Sequence, residues 1–258
     1  MVDFSSVHVT HVDREARMLT AAKVRNQVKQ FMTLLNSNSP ETKVQDFLAS
    51  HSYFFSGVID LYGPSPLYSK IKLGSEYVAD FAWFDINTLG PEWNLVEIEP
   101  PGERLFNAKG DPSAFLTHAL QQIKNWQRWI QTNGDYARKL LPNVLYPLGH
   151  LYMGRRKELS SKNQETLRQL AHENRMTSRI HTLDWFATAG LQIAEHLSSK
   201  TTGGKWTVPV KALTHKDLAN GLTGDAKESM NHEYAKTAAR LSLEERLKVR
   251  ERDYLDFG

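Results

Sequence analysis

The 258-residue chain contains no cysteine. Disulfides, thiolate nucleophiles and cysteine-ligated zinc are therefore excluded. No stretch approaches the ~18 uninterrupted apolar residues of a membrane span. Residues 1–17 mix Asp, His, Arg and Glu and have no apolar signal core. We expect a cytoplasmic protein with no membrane partner. There is no glycine-rich phosphate loop, which argues against NTP hydrolysis, and no internal repeat or low-complexity tract. Charge of neither sign dominates. A formal net charge of +3 and a pI near 8.9 permit a basic groove without requiring one. With 40% hydrophobic and 24% charged residues, the composition is that of a globular chain. It suits one elaborated domain or two small ones.

Acids inside apolar runs are the feature that stands out. Trp93-Asn94-Leu95-Val96-Glu97-Ile98-Glu99 reads as a short strand ended by Pro100-Pro101. Strand side chains alternate between faces, so Leu95, Glu97 and Glu99 share one face and Val96 and Ile98 the other. Tyr77-Val78-Ala79-Asp80-Phe81-Ala82-Trp83-Phe84 is a second strand-like run with one acid inside it. Buried carboxylates are costly unless compensated, and a divalent cation compensates them well. Asp80, Glu97 and Glu99 therefore point to a hard-metal site. Taken one at a time they also have plain readings: Asp80 paired with an arginine, and Glu97 and Glu99 on a solvated edge strand.

Periodicity places these strands in an α/β chain with a mixed sheet. Residues 1–26 are polar and poorly periodic, with Val7-His8-Val9 a candidate edge strand. A helix is expected over Val24–Leu35. A second follows, with Ser39 as N-cap, Pro40 in the first turn, and Val44, Phe47 and Leu48 inward. Gly63-Pro64-Ser65-Pro66 is a turn and Leu67–Leu73 a strand. Residues 87–92 turn the two acidic strands into a hairpin. After a polar loop over Gly102–Pro112, a helix runs from Ser113 to Gln131 and ends at Asn133-Gly134. Leu148–Gly154 and Arg179–Leu183 resemble strands. Asn163–Asn174 and Trp185–Leu197 resemble helices, the latter with Asp184 as N-cap. Residues 198–210 look like a linker, and 211–258 like a charged tail with one short helix near Leu241–Leu247. The domain reading is an extension over 1–29, a folded domain over 30–200 and a tail over 201–258.

Several blocks together resemble a known family. They are Glu41–Phe54, Ser75–Phe81, Leu95–Pro100, Ala119–Ile123, Leu151–Arg155 and Ile180–Asp184. In order and spacing they are similar to the conserved blocks of the Shedu family, over roughly residues 30–200. Shedu proteins are bacterial antiphage effectors whose effector domain belongs to the PD-(D/E)xK nuclease superfamily. The resemblance implies that fold: a mixed central sheet flanked by helices. It also implies that Asp80 is the first metal-binding acid and Glu97 the second. Glu99 stands where the superfamily usually has lysine. Gln122, with Trp126 four residues on, resembles the QxxxY helix motif of RecB-type members. Glu41 matches an acid that the first core helix sometimes contributes.

The chemistry agrees with that assignment. Phosphodiester hydrolysis needs a water made nucleophilic near neutral pH and neutralisation of the phosphate, and Mg²⁺ (or Mn²⁺) on carboxylates supplies both. The candidate ligands are Asp80, Glu97, Glu99 and the carbonyl of Ile98. Gln122 and Lys124 are placed to orient water or touch phosphate. Lys109, Arg155 and Arg156 are candidate phosphate contacts, although a basic run after a strand is more often a solvated turn. His118, His150 and His181 have no metal-ligand spacing and read as structural or, at best, as phosphate contacts. Glu99 has two readings. It is a further ligand or general base in an active enzyme, or the mark of a non-cleaving relative. Lys109, Lys124 and Arg128 are the candidates to replace the missing lysine. The expected partner is nucleic acid, DNA first, and the expected assembly a homo-oligomer. The competing function is a binding or structural subunit of a defence assembly.

Overall fold

The structure is a computed structural model that describes residues 16–55, 67–87, 90–198, 206–209, 212–216 and 218. The expected Val7–Val9 strand, the Gly63–Pro66 turn and the Leu241–Leu247 helix lie outside these residues. The element order is β1 (Ala16–Leu19), α1 (Ala21–Asn36), α2 (Glu41–Ser50), a 3₁₀ turn (Ser52–Phe55), β2 (Tyr68–Leu73), β3 (Tyr77–Asn87) and β4 (Gly90–Ile98). It continues with α3 (Ala114–Thr132), α4 (Gly134–Leu140), β5 (Leu148–Tyr152), α5 (Ser161–Asn174), β6 (Ser178–His181), α6 (Asp184–Ser198), β7 (Trp206–Pro209) and β8 (Leu213–Thr214).

A six-stranded mixed sheet, ordered β6-β5-β4-β3-β2-β8, forms the centre. Strands β2, β3 and β4 pair antiparallel, while β5 and β6 continue from β4 in parallel. The parallel connections pass through helices, as parallel strands require. The alternation of side chains builds two cores. Phe81, Trp83, Val96, Ile98 and Tyr152 face one layer with Phe31, Val44, Leu48 and Phe186 from α1, α2 and α6. Ala82, Phe84, Leu95 and Leu151 face the other, with Leu116, Ile123, Trp126 and Ile130 from α3. The result is helices on both faces of one sheet.

Several local expectations give way to the structure. Pro40, not Ser39, is the N-cap of α2; the Ser39 hydroxyl pairs instead with that of Ser37 (2.9 Å). The β3–β4 hairpin is longer than expected, since pairing runs to Asn87 and Gly90. Asn133 ends α3 but does not end helical structure: it is also the N-cap of α4. The segment 198–210 is not all linker. Residues 206–209 pair antiparallel with Ala16–Leu19, in a part of the chain with no sequence periodicity. Leu213–Thr214 join the main sheet beside β2.

Two glycines set distances that the site depends on. A Cβ on Gly149 would meet Ile123 Cγ2 at 2.3 Å, so β5 and α3 approach only because that position is bare. This fixes Gln122, the neighbour of Ile123, against the sheet. Gly74 turns β2 into β3 with φ +64 beneath the Trp129 ring, a conformation open to glycine and poorly tolerated by other residues.

Candidate active site

The β2–β3 turn determines which residues meet. Because Leu73 pairs with Tyr77, Ser69 opposes Phe81 and Ile71 opposes Ala79. Lys70 therefore lies directly across from Asp80. On the other side of Asp80, the β3–β4 ladder stops at Phe81–Val96, one step short of Asp80 and Glu97. Lys70, Asp80 and Glu97 thus form one row across three adjacent strands, and backbone pairing lapses in that row.

Side chains replace the missing ladder bonds. Asp80 Oδ2 accepts from the backbone N–H of Ile98 (2.9 Å). Asp80 Oδ1 accepts from Lys70 Nζ (2.8 Å), whose side chain is 52% exposed against 8% for Asp80. From the α1–α2 side, Gln45 accepts a hydrogen bond from Lys70 Nζ and donates one to Glu41 Oε1. From the α3 side, Gln122 Nε2 donates to Glu97 Oε1 (2.7 Å). Helices on opposite faces therefore reach the same row through Gln45 and Gln122.

The electrostatics are unbalanced toward negative charge. Glu97 is pushed up to about 10 by burial first, then by the charges of Asp80, Glu99 and Glu41. Glu99 is pushed up to about 7 by burial and by Glu41, Asp80 and Glu103. Burial also raises Asp80, against the pull of Lys70 and the Ile98 N–H. Burial and Asp80 raise Glu41. These four carboxyls hold one another toward the neutral form, and Lys70 opposes that shift at Asp80, Glu97 and Glu41.

Asp80, Glu97, Glu99 and Gln122 are thus gathered at one place, at the C-terminal end of β4. Glu99 follows the last strand residue and its N–H donates to Tyr152 O (3.0 Å); its side chain is half-buried. Trp126 is fully buried in the α3 core and is not a stacking platform. Lys109, Lys124, Arg128 and Arg156 are exposed. Arg155 departs from its expected role as a phosphate contact. It is 2% exposed and its guanidinium is spent on Asp184 Oδ1 (3.1 and 3.0 Å) and Asn36 Oδ1 (3.1 Å). That buried pair ties the end of β5 to α6 and α1. Asp184, expected as an N-cap, is the first residue of α6 and accepts from Arg155 and from the Arg156 N–H.

Sequence reasoning missed Lys70 and Gln45. The signal for Lys70 was present. A three-residue turn at Gly74-Ser75-Glu76 between two strands fixes the register that sets it opposite Asp80. Gln45 has no comparable signal beyond its place one helical turn after Glu41.

Among the described residues, no three His, Cys, Asp or Glu side chains converge tightly enough to enclose a metal ion. Magnesium does not demand such a cage, since it keeps several waters and takes one or two carboxylates. The donors present are hard oxygens in an under-neutralised cluster, and they fit that ion in type and charge.

The other buried polar cluster has a different character. His150 and His181 stack in parallel, ring centres 5.8 Å apart, and Tyr152 stacks on His181 at 4.8 Å. Burial pushes His150 down to about 3 and His181 down to about 4. Burial thus keeps both histidines in the neutral form.

A sequence model described as Shedu protein SduA, C-terminal, matches residues 38–186, more than half of the chain. That span contains every residue of the row and its helix partners. No curated protein matches the chain.

Proposed function

The chain belongs to the Shedu family, and on that premise we propose that it is a metal-dependent nuclease that cuts DNA in bacterial antiphage defence. Membership implies the defence role; the nuclease activity, its metal and the PD-(D/E)xK fold assignment are our reading. The observation that carries it is the row itself. Asp80 and Glu97 are buried side by side where the ladder lapses, in a cluster with too few cations for its carboxyls.

In this reading Asp80, Glu97 and the Ile98 carbonyl would hold Mg²⁺ or Mn²⁺, which when bound acidifies water and neutralises the phosphate, and Glu99 stands beside them as the base. Gln122 fixes the Glu97 carboxylate through its amide. The Ile98 N–H fixes Asp80. Glu99 takes the proton of the attacking water. The water oxygen bonds to phosphorus, the bond to the leaving oxygen breaks, and that oxygen is protonated from solvent. Exposed Lys109, Lys124 and Arg156 supply backbone contacts to the nucleic acid. A symmetric homo-oligomer multiplies a modest grip on DNA. No described helix is long and apolar enough to cross a membrane, and we place the protein in the cytoplasm.

The test is cleavage of linear, nicked and circular DNA with Mg²⁺ or Mn²⁺. Cleavage that needs the metal and disappears in Glu97→Ala supports the reading. Glu99, standing where the superfamily has lysine, favours a second one: a binding subunit that does not cut. DNA binding without cleavage of any of the three substrates would establish that second reading.

A further inference from the structure

Lys70 sits in a backbone conformation that its side-chain type does not favour. Its φ is +53, in the middle of an extended strand that pairs normally on either side of it. Glycine or asparagine suits that region, and other residues rarely enter it. A non-glycine residue held there is a pointer to function. Its side chain gives the reason. It delivers an ammonium to Asp80 and to Gln45, on a stem that remains about half exposed. Asp80 and Gln45 are buried, so Lys70 is the member of this trio that an incoming ligand can reach.

Asp80 and Glu97, buried side by side where the ladder lapses, also call for a cation. Lys109, Lys124 and Arg128 are exposed, and among the described ion pairs it is Lys70 that reaches an acid of the row. Position 99, the next residue along the strand from Ile98, carries a further acid. A cation from β2, two strands away from β4, restores the balance that position 99 does not provide.

We propose, resting on the nuclease reading above, that Lys70 is a catalytic residue: its ammonium leaves Asp80 to contact the scissile phosphate when substrate binds. It shares the charge that builds on the phosphate oxygens as the new P–O bond forms and the old one breaks. The Asp80 oxygen that it releases becomes available to the metal. Gln45, which accepts from the same ammonium, keeps it tethered, so that it exchanges Asp80 for the phosphate without sweeping through solvent.

The experiment uses the full chain with Lys70→Asn and Lys70→Arg. Asparagine tolerates the left-handed backbone and removes the charge; arginine keeps the charge. Two readouts are taken: Mn²⁺ binding by calorimetry without nucleic acid, and single-turnover cleavage of linear duplex DNA with Mg²⁺. Lys70→Asn is expected to cut at least ~100-fold more slowly, as when one charge-stabilising donor is lost. Lys70→Arg is expected to recover at least tenfold of that loss, roughly half of it on a logarithmic scale. Mn²⁺ affinity in Lys70→Asn should hold or tighten by up to ~5-fold, because the competitor for Asp80 has gone. A merely structural clamp would instead lose Mn²⁺ binding together with cleavage, and that result overturns the proposal. So does Lys70→Asn cleaving within threefold of a cleaving wild type; the nuclease reading then stands without Lys70. A wild type that binds Mn²⁺ but never cuts fails the nuclease reading itself, and the proposal with it.

Discussion

The acidic row and the histidine stack lie on neighbouring strands of one sheet, and each buries polar groups differently. In the row, both carboxyl oxygens of Asp80 and one of Glu97 accept from protein donors, yet charge is in excess. In the stack, the rings are neutral, and His150 Nδ1, His181 Nε2 and Tyr152 Oη have no hydrogen-bond partner among the described residues. The stack tolerates orphaned atoms because His150 is held by Asn94 at 3.0 Å and because aromatic neighbours surround it: Trp83 at 4.7 Å from His150, and Phe186 at 4.3 Å from Tyr152. The difference separates a site from a core. Orphaned dipoles cost something but stay neutral, whereas clustered carboxyls can be relieved only by protons or a cation.

The largest effect expected from breaking this contrast is on cleavage. Glu97→Ala should lower the single-turnover rate by at least ~100-fold, whereas His150→Gln should leave it within a few-fold. Comparable losses in both would erase the distinction between the clusters.

Arg155 offers a third kind of buried polar group, a charge already paired. Removing Arg155 leaves the partly buried Asp184 carboxylate, 22% exposed, without its cation, at about 1–3 kcal/mol. Arg155→Ala should therefore lower stability by that order in urea unfolding, with little change in cleavage per folded molecule. A normal unfolding midpoint would show that the Asp184 and Asn36 contacts contribute little.

The two clusters should also respond to pH with opposite sign. Glu97 is raised from 4.5 to about 10 in the fold. Its contribution is fully present below pH 4.5 and is lost as pH rises toward 10. His150 and His181 are lowered from 6.5 to about 3 and about 4. Their contribution is present above pH 6.5 and is lost as pH falls toward those values. Metal-free protein should thus lose melting temperature on both sides of mildly acidic pH. Glu97→Gln should flatten the alkaline limb and His150→Gln the acid limb. If each substitution flattened the wrong limb, the assignment of the two clusters would be reversed.

A smaller effect is expected at Gly149. An added Cβ would press on Ile123, and overpacking of this kind costs ~1–3 kcal/mol. The displaced α3 would also carry Gln122 away from Glu97. Gly149→Ala should slow cleavage more than its stability loss explains, measured at a temperature where the variant is fully folded.

Much of this arrangement was legible in the sequence. The acids of β3 and β4 lie inside apolar runs whose alternation sets the faces, and Leu95 and Val96 do fall in opposite cores. The long period of α3 and its Ser113 cap were also readable, and the hydroxyl accepts from the Leu116 N–H at 3.1 Å. What was not legible depended on tertiary partners. The β1–β7 ribbon joins segments far apart in the chain, neither of which has a period of its own. Helix α4 begins at the glycine of an Asn-Gly pair that ordinarily stops a helix, with Asn133 flanking both helices. Arg155 looked like part of a solvated basic turn, since nothing local announces Asp184 and Asn36. Lys70 was hidden in a different way: its importance lies in a register and a backbone angle, and a residue-type motif records neither.

The central claim is that the acidic row exists to hold a divalent cation. Calorimetric titration of metal-free protein with Mn²⁺, in wild type and in Asp80→Ala, tests it directly. We predict saturable binding to the wild type and loss of that binding in Asp80→Ala, with a rise in wild-type melting temperature that follows occupancy by mass action. Absence of saturable binding to the wild type, or equal binding by Asp80→Ala, would contradict the claim.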